Sequence, residues 1–524
     1  VVLGAVFAVA LTALALADRN RDRDTRLDQV TAVQSALRNV EVARATQSEG
    51  YTRTRVLRLD DELTRVTFFD GPRVIVEAAV GPDGAVRYLQ VIGSDYVRAG
   101  SRTAQEPVVL LALAALFALL TASVPLRSLR NLDILALLAI ALVIHLLNER
   151  LFELSTLVAI PPLAYLTWRC LRRGFSTMSR IDDRSCEPLV TVLLSRIDRS
   201  AARRVGAISL AGIVAGFAII AIPGGQTGDV GFASLAGATA LLDGELPYGN
   251  VGGGIVHGDT YPLLAYVAYL PGALISPVRD VFDNAESALW IATAAALLAA
   301  WAIWSFAARA GGGGGNRHEG PRVAAAWLAY PPVLITASSG SNDMVAAALM
   351  AGAVAAIAHS GRSTAALSAA AWVKLLPVLL LPAWIAQYRS RGLRGAVFAT
   401  LIVTLPLLAV LLALGGADGV REMLEAISWQ AGRGTNLSVW SIVELPALQV
   451  LFQALVVTLA AAVTLAVWQN EQLRNDPRRL CALAAGVIVL AQLAGNYWTY
   501  AYVVWALPLI AAALLGRPSS QAAA

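Results

Sequence analysis

The chain has 524 residues, 57% of them hydrophobic and 15% charged, with a mean hydropathy of +0.62. Soluble domains carry about a quarter charged residues, so this composition excludes an ordinary soluble protein and points to a polytopic membrane protein. The net charge of +5 comes from arginines spread through short loops rather than gathered on one face, which argues against a nucleic-acid partner.

In chain order, residues 1–17 are apolar and run into the charged stretch Asp18–Asp24. No small-residue cleavage site stands out, so this reads as a membrane anchor, with the first span trimmed because the chain opens at Val1. Residues 18–106 are polar and patterned. Leu27, Val30, Val33, Leu37 and Val40 recur at helical spacing, and alternating segments follow at Arg53–Leu59, Thr64–Phe69, Arg73–Ala79 and Val86–Val91. Turn signals at Asp70-Gly-Pro and Gly81-Pro-Asp-Gly separate them, predicting a small α+β module with one helix on an antiparallel sheet. It holds no His or Cys and no carboxylate constellation, so it reads as a binding or spacer module, with a sensor role as the alternative.

Three spans are expected near 107–125, 131–147 and 152–168, making 107–173 a three-helix unit, followed by an Arg-rich cytoplasmic linker at 174–204. A membrane core over 205–516 and a short tail at 517–524 complete the chain. The core spans fall near 205–222, 287–308, 322–337, 343–359, 363–373, 376–388, 395–414, 445–468, 479–494 and 500–515. The apolar run 261–277 is read as re-entrant or surface-lying, because counting it as a crossing would reverse every later loop. Cytoplasmic loops then hold Arg309, Arg317, Arg322, Arg362, Arg389, Arg391, Arg394, Arg474, Arg478, Arg479 and Arg517, and outer loops only Arg279, Arg421 and Arg433. Cys170, Cys186 and Cys481 fall on the cytoplasmic side without metal or redox spacing. Gly311–Gly315 follows no strand and reads as a linker rather than a phosphate loop.

This topology collects four polar segments on the outer face: 223–260, 338–343, 415–444 and 495–500. The split span 363–388 brings Lys374 there too, and among 41 Lys and Arg residues it is the only lysine. An ionisable group at membrane depth is costly and by default marks a functional site, although a lysine can also snorkel to an interface. Asp229, just after a span and before an amphipathic helix, is either a partly desolvated reactive carboxylate or a helix cap. His257 and Asp259 could pair on a metal, but two ligands are too few to indicate one, and no cofactor is indicated. Arg433 lies among aromatics and amides (Trp429, Gln430, Asn436, Trp440), and an Arg fork suits phosphate oxygens. The run Asn496-Tyr-Trp498-Thr-Tyr500-Ala-Tyr502 is either an interfacial aromatic belt or a stacking wall for a sugar or prenyl chain.

Ser339-Gly-Ser-Asn342-Asp343, followed by Ala371-Trp-Val-Lys374-Leu-Leu-Pro377, resembles a pattern of GT-C glycosyltransferases. It is similar to that of the polyprenol-phosphate-dependent enzymes of actinobacterial envelopes in glycosyltransferase family 87, which include mannosyl- and arabinofuranosyltransferases. The resemblance extends to Asp229, Tyr248, Tyr261-Pro262, Gln430 to Trp440 and Trp505 to Pro508, covering about 205–516. Ser341 stands where the family often has His, and Tyr500 and Tyr502 where mannosyltransferases often carry histidines. The resemblance implies a mainly α fold, a polytopic transmembrane bundle of GT-C type with the small extracytoplasmic α+β module. It implies an integral plasma-membrane glycosyltransferase working on the extracytoplasmic side. Its partners would be a polyprenyl-phosphate sugar donor, a glycan or glycolipid acceptor and the bilayer. Asp229 would be the general base, Lys374 and Arg433 would hold the donor phosphate, and Asn342 and Asp343 would orient sugar or acceptor. Tyr248, His257, Asp259, Tyr261, Gln430, Asn436, Trp440, Asn496, Trp498, Tyr500 and Tyr502 would line the substrate site. A lipid-sugar transporter or flippase, with the same buried cation and no covalent step, is the alternative.

Overall fold

The computed structural model describes residues 29–58, 63–91, 100–176, 187–194, 199–251, 258–280, 283–310, 319–432, 435, 437–443 and 445–515. The expected anchor, the glycine run, the tail, Cys186, His257, Arg433 and Asn436 lie outside the described residues.

The N-terminal module has two helices, α1 (Gln29–Arg38) and α2 (Val40–Glu49), where the sequence pattern predicts one. Asn39 separates them: its side chain accepts from the backbone N–H groups of Glu41 and Val42 and caps α2. That cap resets the helical phase. Val40 is therefore exposed, as is Val30 in α1, and Ala32, Ala36, Val42 and Ala45 form the buried stripe instead. They pack on an antiparallel sheet in the order β1 (Arg53–Arg58), β2 (Thr64–Asp70), β3 (Arg73–Val80), β4 (Val86–Val91). Val66, Phe68, Val76, Ala78 and Val80 meet the helices on one face. On the other, Phe69 and Val74 pack against Phe152.

The membrane part begins with α3 (Pro107–Thr121), α4 (Leu129–Asn148) and α5 (Phe152–Phe175). The linker is partly folded: Glu187–Pro188 pairs with Ser123–Val124, and α6 (Arg199–Ala221) starts earlier than its apolar run. After α7 (Asp229–Leu242), the run 261–277 forms only two short helices, α8 (Leu264–Val267) and α9 (Leu270–Ile275), and α10 (Ser287–Ala310) follows. The expected span 322–337 is two helices, α11 (Glu319–Ala329) and α12 (Pro331–Ser338). Pro331 and Pro332 break the run, because proline lacks the N–H that would continue the helix. Next come α13 (Asp343–Ala355), α14 (Ser360–Val373), a 3₁₀ turn (Leu376–Leu380) and α15 (Leu381–Ala386). The expected span 395–414 continues as α16 (Leu393–Gly432), kinked at Gly416. The last helices are α17 (Pro446–Gln469), α18 (Pro477–Ala494) and α19 (Val503–Ile510).

Six of the described helices are long and apolar enough to cross a membrane. Only 17% of the apolar window of α16 is buried, against 72% for α18, so α16 offers a lipid-facing wall and α18 sits inside the bundle. At one end of the bundle, arginines meet the carbonyls that helices leave unpaired at their C-termini. Arg309 donates to Ala355, Arg389 and Arg474 to Trp468, Arg479 to Gly174, and Arg322 to Leu120. The module lies at the other end, clamped to the start of α5: Arg53 and Arg55 each reach the Glu153 carboxylate at 2.8 Å. Arg150 there pairs with Glu49 at 2.9 Å.

Candidate active site

The module end of the bundle carries the turn between α12 and α13. Gly340 takes φ +70, a region that favours glycine, and lets the chain reverse at once. Tyr269 fixes the turn by donating to the Gly340 carbonyl at 2.7 Å. Asp343 then opens α13, where the helix dipole favours a carboxylate. It is almost fully buried, and three donors meet it. Ser341 Oγ donates to Oδ2 at 2.5 Å, Trp505 Nε1 to Oδ1 at 2.8 Å, and Lys374 Nζ lies 3.2 Å from Oδ1.

Lys374 reaches this carboxylate because α14 ends at Val373 and Lys374 is extended (φ −136, ψ 133). Pro377 follows, and the chain turns back through the 3₁₀ turn and α15, whose Trp384 donates to Ser363 on α14 at 2.8 Å. Lys374 therefore sits at the tip of a short hairpin dipping into the bundle. Its ammonium is 4.2 Å from the Tyr261 ring centroid and 5.7 Å from that of Trp505, within reach of cation–π attraction.

A tyrosine cluster holds Tyr261 over the cation. Tyr248 donates to the Tyr261 carbonyl at 3.2 Å, and Tyr266 Oη accepts the Tyr261 N–H at 3.2 Å while donating to the Gly258 carbonyl at 3.1 Å. Burial, and after it the charge of Asp259, push the Tyr248 phenol far above its ordinary range, so it stays a neutral donor. Asp259 accepts the Gly249 N–H at 2.8 Å and ties the 248–250 turn. Gln430 donates to Thr260 at 2.6 Å, joining α16 to the same strand of chain. On the far side, Tyr497, Tyr502 and Trp505 stack in sequence, at 5.8 and 4.5 Å between centroids, and lead to Asp343. Tyr500 starts the short 3₁₀ turn between them.

Asp229 is the first residue of α7. It is exposed rather than partly desolvated, and its Oδ1 accepts the Val230 N–H at 2.8 Å. The cap position itself belongs to Gly228, whose N–H donates to the Ser339 carbonyl at 2.9 Å. Further along α7, Ser234 Oγ accepts Asn342 Nδ2 at 3.0 Å, while Asn342 Oδ1 is buried without a hydrogen-bond partner among the described residues. The start of α7 is thus bound to the turn that carries Asp343.

Three expected residues serve other contacts. Trp440 is buried against Phe452 and donates to the Leu493 carbonyl at 2.9 Å. Trp498 is buried, with its backbone N–H on the Leu437 carbonyl at 2.9 Å, and Asn496 accepts from Gln449. They hold the 435–443 and 495–500 segments together, and no contact described brings them to Lys374. Conversely, Tyr266, Trp505 and Ser341 belong to the site without being among its expected residues. The signal for Trp505 was available: an indole in an apolar helix needs an acceptor for its N–H.

The family model described as Glycosyltransferase family 87 matches residues 260–495. That stretch contains Tyr261, the Asn342-Asp343 turn, Lys374 and Gln430, while Asp229 and Trp505 fall outside it. Searches of curated proteins and of solved structures found no match. The match, to a family of the GT-C type, covers the part of the helical membrane bundle that holds the buried lysine–aspartate pair.

Proposed function

We propose that this membrane glycosyltransferase moves a sugar, mannose or arabinofuranose, from a polyprenyl-phosphate donor to an envelope glycan or glycolipid at the extracytoplasmic face. The observation that carries the proposal is the desolvated Lys374 ammonium at the tip of its hairpin, held against Asp343 and beneath Tyr261. A cation so placed suits the phosphate of a lipid-linked sugar arriving from the bilayer, and Arg433 is a second candidate for it. The core's loops on this side hold only Arg279, Arg421 and Arg433, which supports the outer placement.

In the proposed reaction, Asp229 takes the proton of an acceptor hydroxyl as its oxygen attacks the anomeric carbon. The bond from that carbon to the phosphate oxygen breaks on the opposite side, inverting the centre and releasing polyprenyl phosphate. A phosphate leaves as an anion without a proton, so Lys374 contributes charge stabilisation rather than acid catalysis. Asn342 would orient sugar or acceptor through its amide. Asp343 holds the ammonium in place, and Tyr497, Tyr502 and Trp505 would flank the sugar or the first prenyl units.

The test is single-turnover transfer by the full chain in nanodiscs with a radiolabelled polyprenyl-phosphate sugar. Asp229→Asn should lower transfer by about a thousandfold while donor affinity stays the same. Retained turnover would remove Asp229 from the base role. A transporter would instead move intact labelled lipid across the bilayer, and the family assignment favours transfer.

A further inference from the structure

The ends of α15 and α17 meet at the rim of the bundle farthest from the site. Near the start of α17, Gln449 and Gln453 reach the Ala494 carbonyl at 3.4 Å, beside the aromatic 495–500 segment. Trp468, close to the other end, therefore lies roughly 30 Å away along the helix. Its carbonyl is one of those a helix leaves unpaired at its C-terminus, and two arginines converge on it. Arg389 Nη1 donates to it at 3.0 Å and Arg474 Nη1 at 2.7 Å, and Arg474 also reaches the Val467 carbonyl at 3.3 Å. The Arg389 guanidinium lies over the Trp468 indole as well, 4.6 Å from its centroid.

Two positive charges thus sit side by side, and the helix end offsets only about half a charge. One arginine suffices to cap a helix end; the second brings a charge that capping does not need. Neither guanidinium has a carboxylate within ion-pair distance among the described residues. Of the nearby acids, Asp476 caps α18 through the Arg478 and Arg479 N–H groups, and Glu471 is exposed. Arg474 Nε is buried without a hydrogen-bond partner among the described residues. The cluster is nevertheless open on one side. Arg389 is exposed, and Trp468 is 38% exposed on a helix whose apolar window is only 28% buried, so both face the lipid surface. An anion with several acceptor oxygens fits such a place, because a phosphate can accept from two guanidinium forks at once beside an interfacial indole.

We propose that Arg389, Arg474 and Trp468 bind the phosphate of an anionic phospholipid, and that this lipid fastens the returning arm of the Lys374 hairpin to α17. Arg389 belongs to that arm. Its N–H continues the last turn of α15 onto the Ala386 carbonyl at 3.1 Å, and its neighbour Tyr388 donates to the Ile357 carbonyl, just past α13, at 2.7 Å. Elsewhere the arm packs less closely on α17 and α18: an apolar cavity of about 10 Å³ lies between Trp384, Ala460 and Ala484. Side chains around a void lose the contacts that would fill it, so the fastening at the rim matters more. A headgroup phosphate shared by both arginines would cancel their repulsion and fix the foot of the hairpin. Its place in the cytoplasmic leaflet follows from the proposed orientation, but the binding step depends neither on that nor on turnover.

The test is native mass spectrometry of the full chain in detergent, titrated with phosphatidylglycerol or with phosphatidylcholine. Wild type should bind its first phosphatidylglycerol about tenfold more tightly than phosphatidylcholine. Arg389→Ala and Arg474→Ala should each weaken that binding by about fivefold, and the two together by about twentyfold. Arg391→Ala, at an exposed arginine of the same loop, should change it by less than about twofold. Arg389→Lys with Arg474→Lys should restore most of the affinity, which separates lost charge from lost fold. Excess inorganic phosphate distinguishes the sources of the anion: retained phosphatidylglycerol identifies a lipid site, and its displacement at equal concentration would overturn the lipid assignment. Equal phosphatidylglycerol binding by wild type and the double alanine variant, or equal weakening by Arg391→Ala, overturns the site itself. Amide exchange over residues 376–388 should slow by about threefold when the lipid is added to wild type and stay the same in the double alanine variant. No slowing in wild type overturns the fastening role.

Discussion

At the scale of single residues, the pair of Lys374 and Asp343 poses the energetic question. Two charges removed from water cost several kcal/mol each, and a bundle core need not contain them. Here the attraction at 3.2 Å is supplemented by Trp505 and Ser341 on the carboxylate and by the Tyr261 ring on the ammonium. Breaking the pair from one side should therefore be far worse than removing it. Asp343→Asn keeps acceptors for Trp505 but strands the ammonium, and should destabilise the protein by about 3–5 kcal/mol. Adding Lys374→Met to Asp343→Asn should recover most of that stability in thermal unfolding, yet leave transfer undetectable. Recovery of both would make the pair structural only. Lys374 was legible in the sequence because a lone lysine in an apolar run is a strong compositional signal. Its carboxylate was legible only as part of a motif, and Trp505 only as an indole in need of some acceptor, because the bond to Asp343 joins residues 162 positions apart.

At the scale of elements, the site depends on how closely α7 approaches the α12–α13 turn. A Cβ on Gly231 would lie 2.7 Å from the Gly340 carbonyl oxygen and 3.0 Å from that of Ser339, closer than side chains tolerate against backbone. Gly231→Ala should push the start of α7 off the turn and carry Asp229 with it. Transfer should fall by about a hundredfold with an ordinary core-overpacking loss of stability of about 1–3 kcal/mol. Donor affinity should change little, since Lys374 sits on another element; an equal loss of donor binding would contradict this division. The hairpin at Lys374 was readable locally, because Pro377 bars the continuation of α14. The cap of α7 was not. Gly228 rather than Asp229 holds that position because of its N–H bond to Ser339, a contact across the fold. The same limit explains the module, where Asn39 divides a helical pattern that composition alone presents as continuous.

For the whole molecule, the two ends of the bundle differ in chemistry, and that difference was legible as a bias in loop arginines. In the structure Arg309, Arg389 and Arg479 end at helix carbonyls on one end, while Asp229, Asp343, Lys374 and the module gather at the other. A cysteine at exposed Asp83 in the module should react with membrane-impermeant maleimide on intact cells, and one at exposed Arg391 only after lysis. The reverse pattern would overturn the proposed orientation. What the loops could not reveal was the docking of the module, since Glu153 gives no sign in the sequence of pairing with residues 100 positions earlier. Glu153 is the single carboxylate that receives both Arg53 and Arg55, at 2.8 Å each. Glu153→Ala would leave two guanidiniums against an apolar contact of Phe69 and Phe152, with no other carboxylate paired to them among the described residues. Arg53 is 38% exposed, so water recovers part of the loss, and the module should stay folded around its own core while its docking loosens. Amide exchange should then rise by about tenfold in β1 and at Gly100–Ser101 but not in α1 or α2. Transfer to the acceptor should fall with unchanged donor affinity, because the contacts at Gly100 and Ser101 reach the segment before Asp229 and the end of α12 rather than Lys374. Faster exchange throughout the module would mean that Glu153 stabilises the module's fold, and unchanged transfer with loosened docking would separate the module from the reaction.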